Sequence, residues 1–176
     1  MTLPGQEPRP RRVVLALGSN LGDRLENLQG AVDALFEAPG LGFLAASPVY
    51  ETLPVGGPEQ PDYLNAVIMV DTAMPGRTIL DRAHGVEEAF QRVREQAWGP
   101  RTLDVDLIVC GDEISDDPEL TLPHPRAHER AFVLAPWHDI DPDAEIPGRG
   151  RVAELLDTVG RSGVRRVNDS ELQPPA

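Results

Sequence analysis

Apolar positions along this chain change their period several times, and each change marks an element. Val13 to Leu17 is a continuous apolar run, β-branched at its start and stopped by Gly18-Ser19-Asn20, which predicts a buried strand. Asp23 opens a helix, with Glu26 three residues on in a capping-box-like spacing. Leu25, Leu28, Val32, Leu35 and Phe36 form its apolar stripe, and Pro39-Gly40 ends it. Gly42 to Tyr50 and Tyr63 to Val70 read as two more strands. Between them, 51–61 holds three prolines and two glycines, too many for regular structure and long for a hairpin, so it reads as a binding loop or a variable insertion. After Pro75 the residues Ile79, Leu80, Ala83, Val86, Phe90 and Val93 recur at helical spacing, ending near Gly99-Pro100. A fourth strand is expected at Leu103 to Cys110.

The order strand, helix, strand, strand, helix, strand predicts an α+β fold with a ferredoxin-like βαββαβ core and an antiparallel sheet. A polar loop, Gly111 to Pro118, and the proline-punctuated Pro123-His124-Pro125 follow, with helical additions at Arg126 to Trp137 and Val152 to Thr158. One domain over 13–160 is expected, between flexible tails at 1–12 and 161–176.

Composition narrows the chemistry. With 29 acidic and 16 basic side chains the net charge is −13, so a nucleic-acid partner would need a basic stripe that the chain lacks. No run of about eighteen apolar residues could cross a membrane, and the N-terminus lacks a secretory apolar stretch, so a cytoplasmic protein is expected. The lone cysteine, Cys110, makes no internal disulfide and no thiol-rich metal site. All 16 basic residues are arginine, which removes the P-loop lysine and favours bidentate recognition of phosphate or carboxylate.

Chemistry concentrates where a rigid turn, Trp98-Gly99-Pro100-Arg101, feeds the fourth strand. Alternation puts Asp104 and Asp106 on one face, their Cα atoms roughly 6.5 Å apart, with Val105, Leu107 and Val109 on the other. Such carboxylates can converge on magnesium; a half-exposed sheet face gives the same pattern. Aspartate is disfavoured in strands, and Arg92, Arg94 and Arg101 stand nearby, which favours an anion held between metal and arginines. The arginines also fit a solvated helix face pairing with Glu87, Glu88 and Glu95. His124 and Arg130 form a second polar cluster; His84 and His138 read as surface or structural. Gly18 to Asp23 resembles a phosphate-cradling turn but matches neither the P-loop nor the dinucleotide pattern.

Over roughly Val13 to Pro147 the chain closely resembles the 6-hydroxymethyl-7,8-dihydropterin pyrophosphokinase family. The motifs that carry the likeness are Leu17 to Asp23, Ser47 to Thr52 with Gln60 to Asn65, Trp98 to Leu107, and Leu120 to Phe132. The resemblance implies a ferredoxin-like transferase that passes the β,γ-diphosphate of ATP to the pterin hydroxymethyl oxygen, releases AMP and serves folate biosynthesis. It implies two magnesium ions on Asp104 and Asp106, with ATP as co-substrate. Asn65 would read the pterin edge, Thr52, Val55 and Gly56 would add backbone contacts, and Tyr63 and Phe132 would sandwich the ring. Arg92 and Arg94 would assist catalysis and bind nucleotide together with Glu87, Trp98, Arg101, Leu107, Thr121, His124 and Arg130. Ala97, Gln91 and Gly57 depart from the family pattern, the first at a position usually basic. Motion of Gly56-Gly57 and of Gln91 to Trp98 over the substrates is expected, and so is a monomer. A non-catalytic binding module and an ordinary γ-phosphate kinase are the rival readings.

Overall fold

In the computed structural model the described residues are 9–53, 62–97, 103–168 and 170–176, without the side chains of 92–97. The core follows the expected order. Strand β1 (Arg11–Ser19), helix α1 (Arg24–Leu35), strands β2 (Gly42–Ala46), β3 (Val49–Thr52) and β4 (Tyr63–Thr72), helix α2 (Gly76–Ala97) and strand β5 (Asp104–Cys110) build it. Asp23 caps α1 as its sequence spacing predicts, its carboxylate accepting from the Glu26 N–H at 3.1 Å.

The strands form one sheet in the order β10-β3-β4-β1-β5, where β10 is Val164–Val167, and β2 pairs with the far half of β4. Every pairing in it is antiparallel. The single strand expected over Gly42 to Tyr50 is broken at Ser47-Pro48. Proline has no N–H for the ladder, and Ser47 closes the gap twice over. Its N–H donates to Val67 O and its hydroxyl accepts from Val67 N–H, both at 2.8 Å.

The sheet is buried on both faces, which is why β1 reads as continuous apolar rather than alternating. Val13, Leu15 and Leu17 pack with Leu28, Val32, Ile79 and Ala83 of α1 and α2. Val14 and Ala16 pack on the opposite face with Val133, Leu134 and Trp137 of α3 (Ala131–Ile140) and with Leu156 of α4 (Val152–Val159). Two small hairpins complete the chain, β6 (Ser115–Asp117) with β7 (Leu120–Leu122) and β8 (Glu145–Ile146) with β9 (Gly150–Arg151).

Two further expectations change. A bulge shifts the β1–β5 register between Val14 and Leu15, so Leu15 opposes Leu107 while Val14 opposes Val109. Ile108 is the extra residue, and it turns Val109 onto the aspartate-bearing face, where Val109 joins the α3 and α4 core. Parts of the expected tails also belong to the fold: β1 begins at Arg11, and β10 is Val164–Val167. Leu172 is buried against α1, and Gln29 both donates to Gln173 O and accepts from Gln173 N–H. Lone apolar residues in a polar tail give no periodicity, so the docking was invisible to a pattern reading.

Candidate functional site

The site lies where the sheet stops being covered. In β1 the residue facing Asn65 on one side and Asp104 on the other is Gly18, and Ala16 faces Val67 and Asp106. These small residues keep a low floor between the β4 and β5 side chains. A Cβ at Gly18 would come within 3.0 Å of Asn65 Oδ1 and 3.8 Å of the Tyr63 ring. Gly18 thus makes room for neighbouring side chains. The turn after it is occupied internally, since Asn27 Nδ2 donates to Ser19 Oγ at 3.1 Å and Leu21 O at 3.0 Å.

A cavity of about 590 Å³ opens over this floor, with Thr52, Tyr63, Asn65, Asp104, Asp106 and Phe132 in its walls. Asn65 is buried and its amide donates to Thr52 Oγ1 at 2.6 Å, which fixes the amide and leaves its carbonyl oxygen to accept. Burial and the charge of Asp104 raise the Tyr63 hydroxyl above its ordinary range, so it stays protonated. The Arg130 guanidinium lies 5.5 Å from the Phe132 ring centroid, within cation–π reach.

A second cavity, of about 570 Å³, lies on the far side of β5 between α2 and the β7 segment. It takes in Glu87, Leu107, Thr121 and His124, and Asp106 borders both cavities. Glu87 accepts from the Val105 N–H at 3.0 Å, which ties α2 to the aspartate strand. Burial, with help from Asp104 and Asp106, holds its carboxyl above the usual range despite that bond. The turn bearing His124 is tied to β5 by the His124 N–H to Ile108 O bond at 2.8 Å, next to the cis Leu122–Pro123 peptide. His124 Nδ1 accepts from the Arg126 N–H at 3.2 Å, so the proton of the neutral ring sits on Nε2. Burial and the nearby Arg130 and Arg126 lower its pKa against the pull of Asp106, so a neutral donor faces the cavity.

Asp104 lines the larger cavity, and Asp106 borders both. Surrounding walls and the charge of Asp106 hold the Asp104 carboxyl above its ordinary range, while Arg130 pulls the other way. A cation would relieve that repulsion. Among the described residues no cluster of three histidine, cysteine, aspartate or glutamate side chains could hold a metal. Two carboxylates beside an open cavity nevertheless suit magnesium, which is commonly bound by one or two carboxylates plus substrate oxygens.

Thr52, Tyr63, Asn65, Asp104, Asp106 and Phe132 therefore meet in one cavity, and Glu87, Leu107, Thr121 and His124 in the other. Arg130, expected among the nucleotide residues, lines the larger cavity beside Phe132. Val55, Gly56, Trp98 and Arg101 lie outside the described residues, as do the side chains of Arg92 and Arg94; of the segments expected to move, Gly56-Gly57 and Trp98 also lie outside, while Gln91 to Ala97 forms the last turns of α2. His84, read as surface or structural, borders the second cavity with Arg77 and Asp81. Arg126 and Glu129 enter the larger cavity from within the Leu120 to Phe132 motif, of which the sequence had singled out only Thr121, His124, Arg130 and Phe132. The segment Val159 to Val164 also enters it, and no sequence signal pointed there.

Comparison with known proteins adds three findings. Residues 14–142 match the model of the family described as 7,8-dihydro-6-hydroxymethylpterin-pyrophosphokinase. A Mycobacterium leprae protein named 2-amino-4-hydroxy-6-hydroxymethyldihydropteridine pyrophosphokinase is 47% identical over 174 residues, covering 89% of each chain. A Pseudomonas aeruginosa protein of the same name is 39% identical over 157 residues, covering 89% of this chain and 97% of its own. Among solved structures, an HPPK-DHPS protein of Plasmodium falciparum superposes with a TM-score of 0.69 at 14% identity. That match covers 92% of this chain but spans about half of the other, 48%, and at that identity it speaks to the fold alone.

Proposed function

The chain belongs to the 7,8-dihydro-6-hydroxymethylpterin-pyrophosphokinase family, and from that premise we propose how its two cavities divide the work. The protein is a pyrophosphokinase of folate biosynthesis, a transferase that moves diphosphate from ATP onto hydroxymethyldihydropterin. The acceptor occupies the larger cavity and ATP the second. The observation that carries this reading is the position of Asp106, which borders both. The β-phosphorus and the acceptor oxygen then meet across β5, where proximity and charge neutralisation do most of the work of phosphoryl transfer.

In the larger cavity the fixed Asn65 amide, with Thr52, reads the polar edge of the ring, and Tyr63 and Phe132 flank its faces. In the second, His124 donates from Nε2 to a phosphate oxygen, and Leu107 and Thr121 border the nucleotide. Arg130, reaching from the Phe132 side, supplies positive charge where the leaving phosphate develops negative charge. No covalent intermediate is needed, and none of the described site residues is placed as a nucleophile. Asp104 and Asp106 would hold magnesium, as two ions, supplying the charge that draws phosphate and hydroxyl oxygens together. Arg92, Arg94, Trp98 and Arg101 complete the nucleotide site in this reading, and Val55 and Gly56 the acceptor site. A monomeric working unit is part of this reading. No helix among the described residues is long and apolar enough to cross a membrane, in keeping with a cytoplasmic role.

Separating nucleotides after incubation with ATP, magnesium and 6-hydroxymethyl-7,8-dihydropterin tests the reading. AMP that forms only when the pterin is present is the expected product. ADP would instead show γ-phosphate transfer, and nucleotide binding without turnover would leave a binding module.

A further inference from the structure

The family match ends at Pro142, yet one wall of the larger cavity comes from beyond it. That wall is the end of α4, the turn Gly160-Arg161-Ser162-Gly163 and the first residue of β10. Gly160 and Gly163 both have φ near +81°, where side chains are disfavoured, and a Cβ on either would meet nothing within 4 Å among the described residues. The glycines therefore answer to the backbone path of the turn, and the space beside it is open.

The turn is fastened on both sides. β10 pairs with β3 so that Val164 opposes Thr52, and Leu53 N–H donates to Gly163 O at 3.0 Å. Arg165 pairs with Glu51, which Arg24 holds from the other side at 3.0 Å, and Arg24 also donates to Asp62 O at 2.7 Å. Tyr50, opposite Arg166 of β10, donates from its hydroxyl to Asp139 of α3. Beyond β10 the chain is pinned again by Leu172 and Gln173. The same hydrogen-bonded row runs from this wall through Thr52 to the Asn65 amide.

We infer that this C-terminal turn, with Ser162 at its exposed tip, is a specificity wall of the acceptor site, limiting what a flat bicyclic alcohol can carry beside Thr52 and Asn65. The inference rests on the reading above that the acceptor fills the larger cavity. Ser162 is exposed within a turn, so its replacement leaves the core untouched.

The test compares wild type, Ser162→Trp, Ser162→Gly and Arg165→Ala by initial rates of AMP formation and by thermal melting. Ser162→Trp is expected to raise KM for the pterin by about fivefold or more, with KM for ATP within about twofold and an unchanged Tm. Ser162→Gly is expected to raise kcat/KM for a ring-alkylated acceptor relative to the unsubstituted one. Arg165→Ala, with the wall less firmly held, is expected to raise pterin KM about two- to threefold, and it carries the test if Ser162→Trp melts early. An unmoved pterin KM in folded Ser162→Trp would overturn the inference, and so would equal rises for both substrates. Absence of pterin-dependent AMP in the wild type would instead defeat the underlying reading, before any variant is compared.

Discussion

Where Val13 of β1 lies between Val70 and Cys110, all three side chains are fully buried. Five residues further along the same strands Gly18 lies between Asn65 and Asp104, and the sheet opens into the larger cavity. The closed end is held by apolar contact with both helical layers. At the open end, directional bonds take over: Asn65 to Thr52, Arg24 and Arg165 to Glu51, Tyr50 to Asp139. Apolar packing is tolerant of direction, whereas a catalytic constellation needs groups held in one orientation. One strand set can thus carry stability at one end and chemistry at the other, and substitutions should separate the two.

The largest separation is expected at the aspartates. Asp104→Ala or Asp106→Ala should lower kcat by roughly a thousandfold, the scale of losing a principal electrostatic stabiliser in a water-poor site. Stability should not fall with it. Asp104 is held above the ordinary carboxylate range by its walls and by Asp106, so deleting one charge removes a repulsion. Rates paired with melting curves decide the point: a Tm that falls by several degrees in either variant would mean that the open end carries structural weight after all.

The converse belongs to the closed end. Ile68 is fully buried in β4, opposite Leu15 and among the residues that meet α1 and α2. Ile68→Ala should cost about 2–5 kcal/mol through lost burial and the void left behind. That corresponds to a Tm lower by roughly 5–15 °C for a chain of this size. The surviving folded fraction should retain wild-type kcat and both KM values, measured well below the melting range. A kcat that fell in proportion to stability would show that the two ends are mechanically coupled.

How much of this was legible beforehand follows the same division. Val13 to Leu17 declares itself because burial on both faces makes it a continuous apolar run, the stripe on α1 because burial of one face imposes a period, and the capping spacing at Asp23 placed the helix start. The order of core elements was enough to give the sheet its ferredoxin-like arrangement. Asp104 and Asp106 were visible because charges two apart in a strand contradict its propensity. The bulge at Ile108 left no mark in the sequence, and it moved Val109 to the other face. Gly18 read as part of a phosphate turn, while its part in the structure is to leave space for Asn65 and Tyr63, a tertiary contact that no local pattern encodes. The C-terminal wall was missed for the same reason, since β10 is short, charged and stabilised by a partner more than a hundred residues away.

That wall supplies the smallest and sharpest contrast. Glu51 is mostly buried and takes bonds from both Arg24 and Arg165. Burial alone would raise its carboxyl, but the two guanidinium groups outweigh it and hold it below the ordinary range. A carboxylate whose folded-state pKa is depressed contributes stability above its ordinary pKa of about 4.3, and that contribution is lost as pH falls through the folded-state value. Glu51→Gln should therefore lower Tm by about 2–4 °C at pH 7, on the scale of about 1 kcal/mol for a well-placed ion pair. The deficit should shrink progressively below about pH 4 and narrow in high salt. Ile68→Ala offers the control, because an apolar void has no proton to gain and its deficit should stay level across the same range. Melting both variants from pH 3 to pH 8 sets the two ends side by side. A Glu51→Gln deficit as flat as that of Ile68→Ala would mean that β10 is held to β3 by its backbone ladder and packing, with the charges adding nothing to the wall.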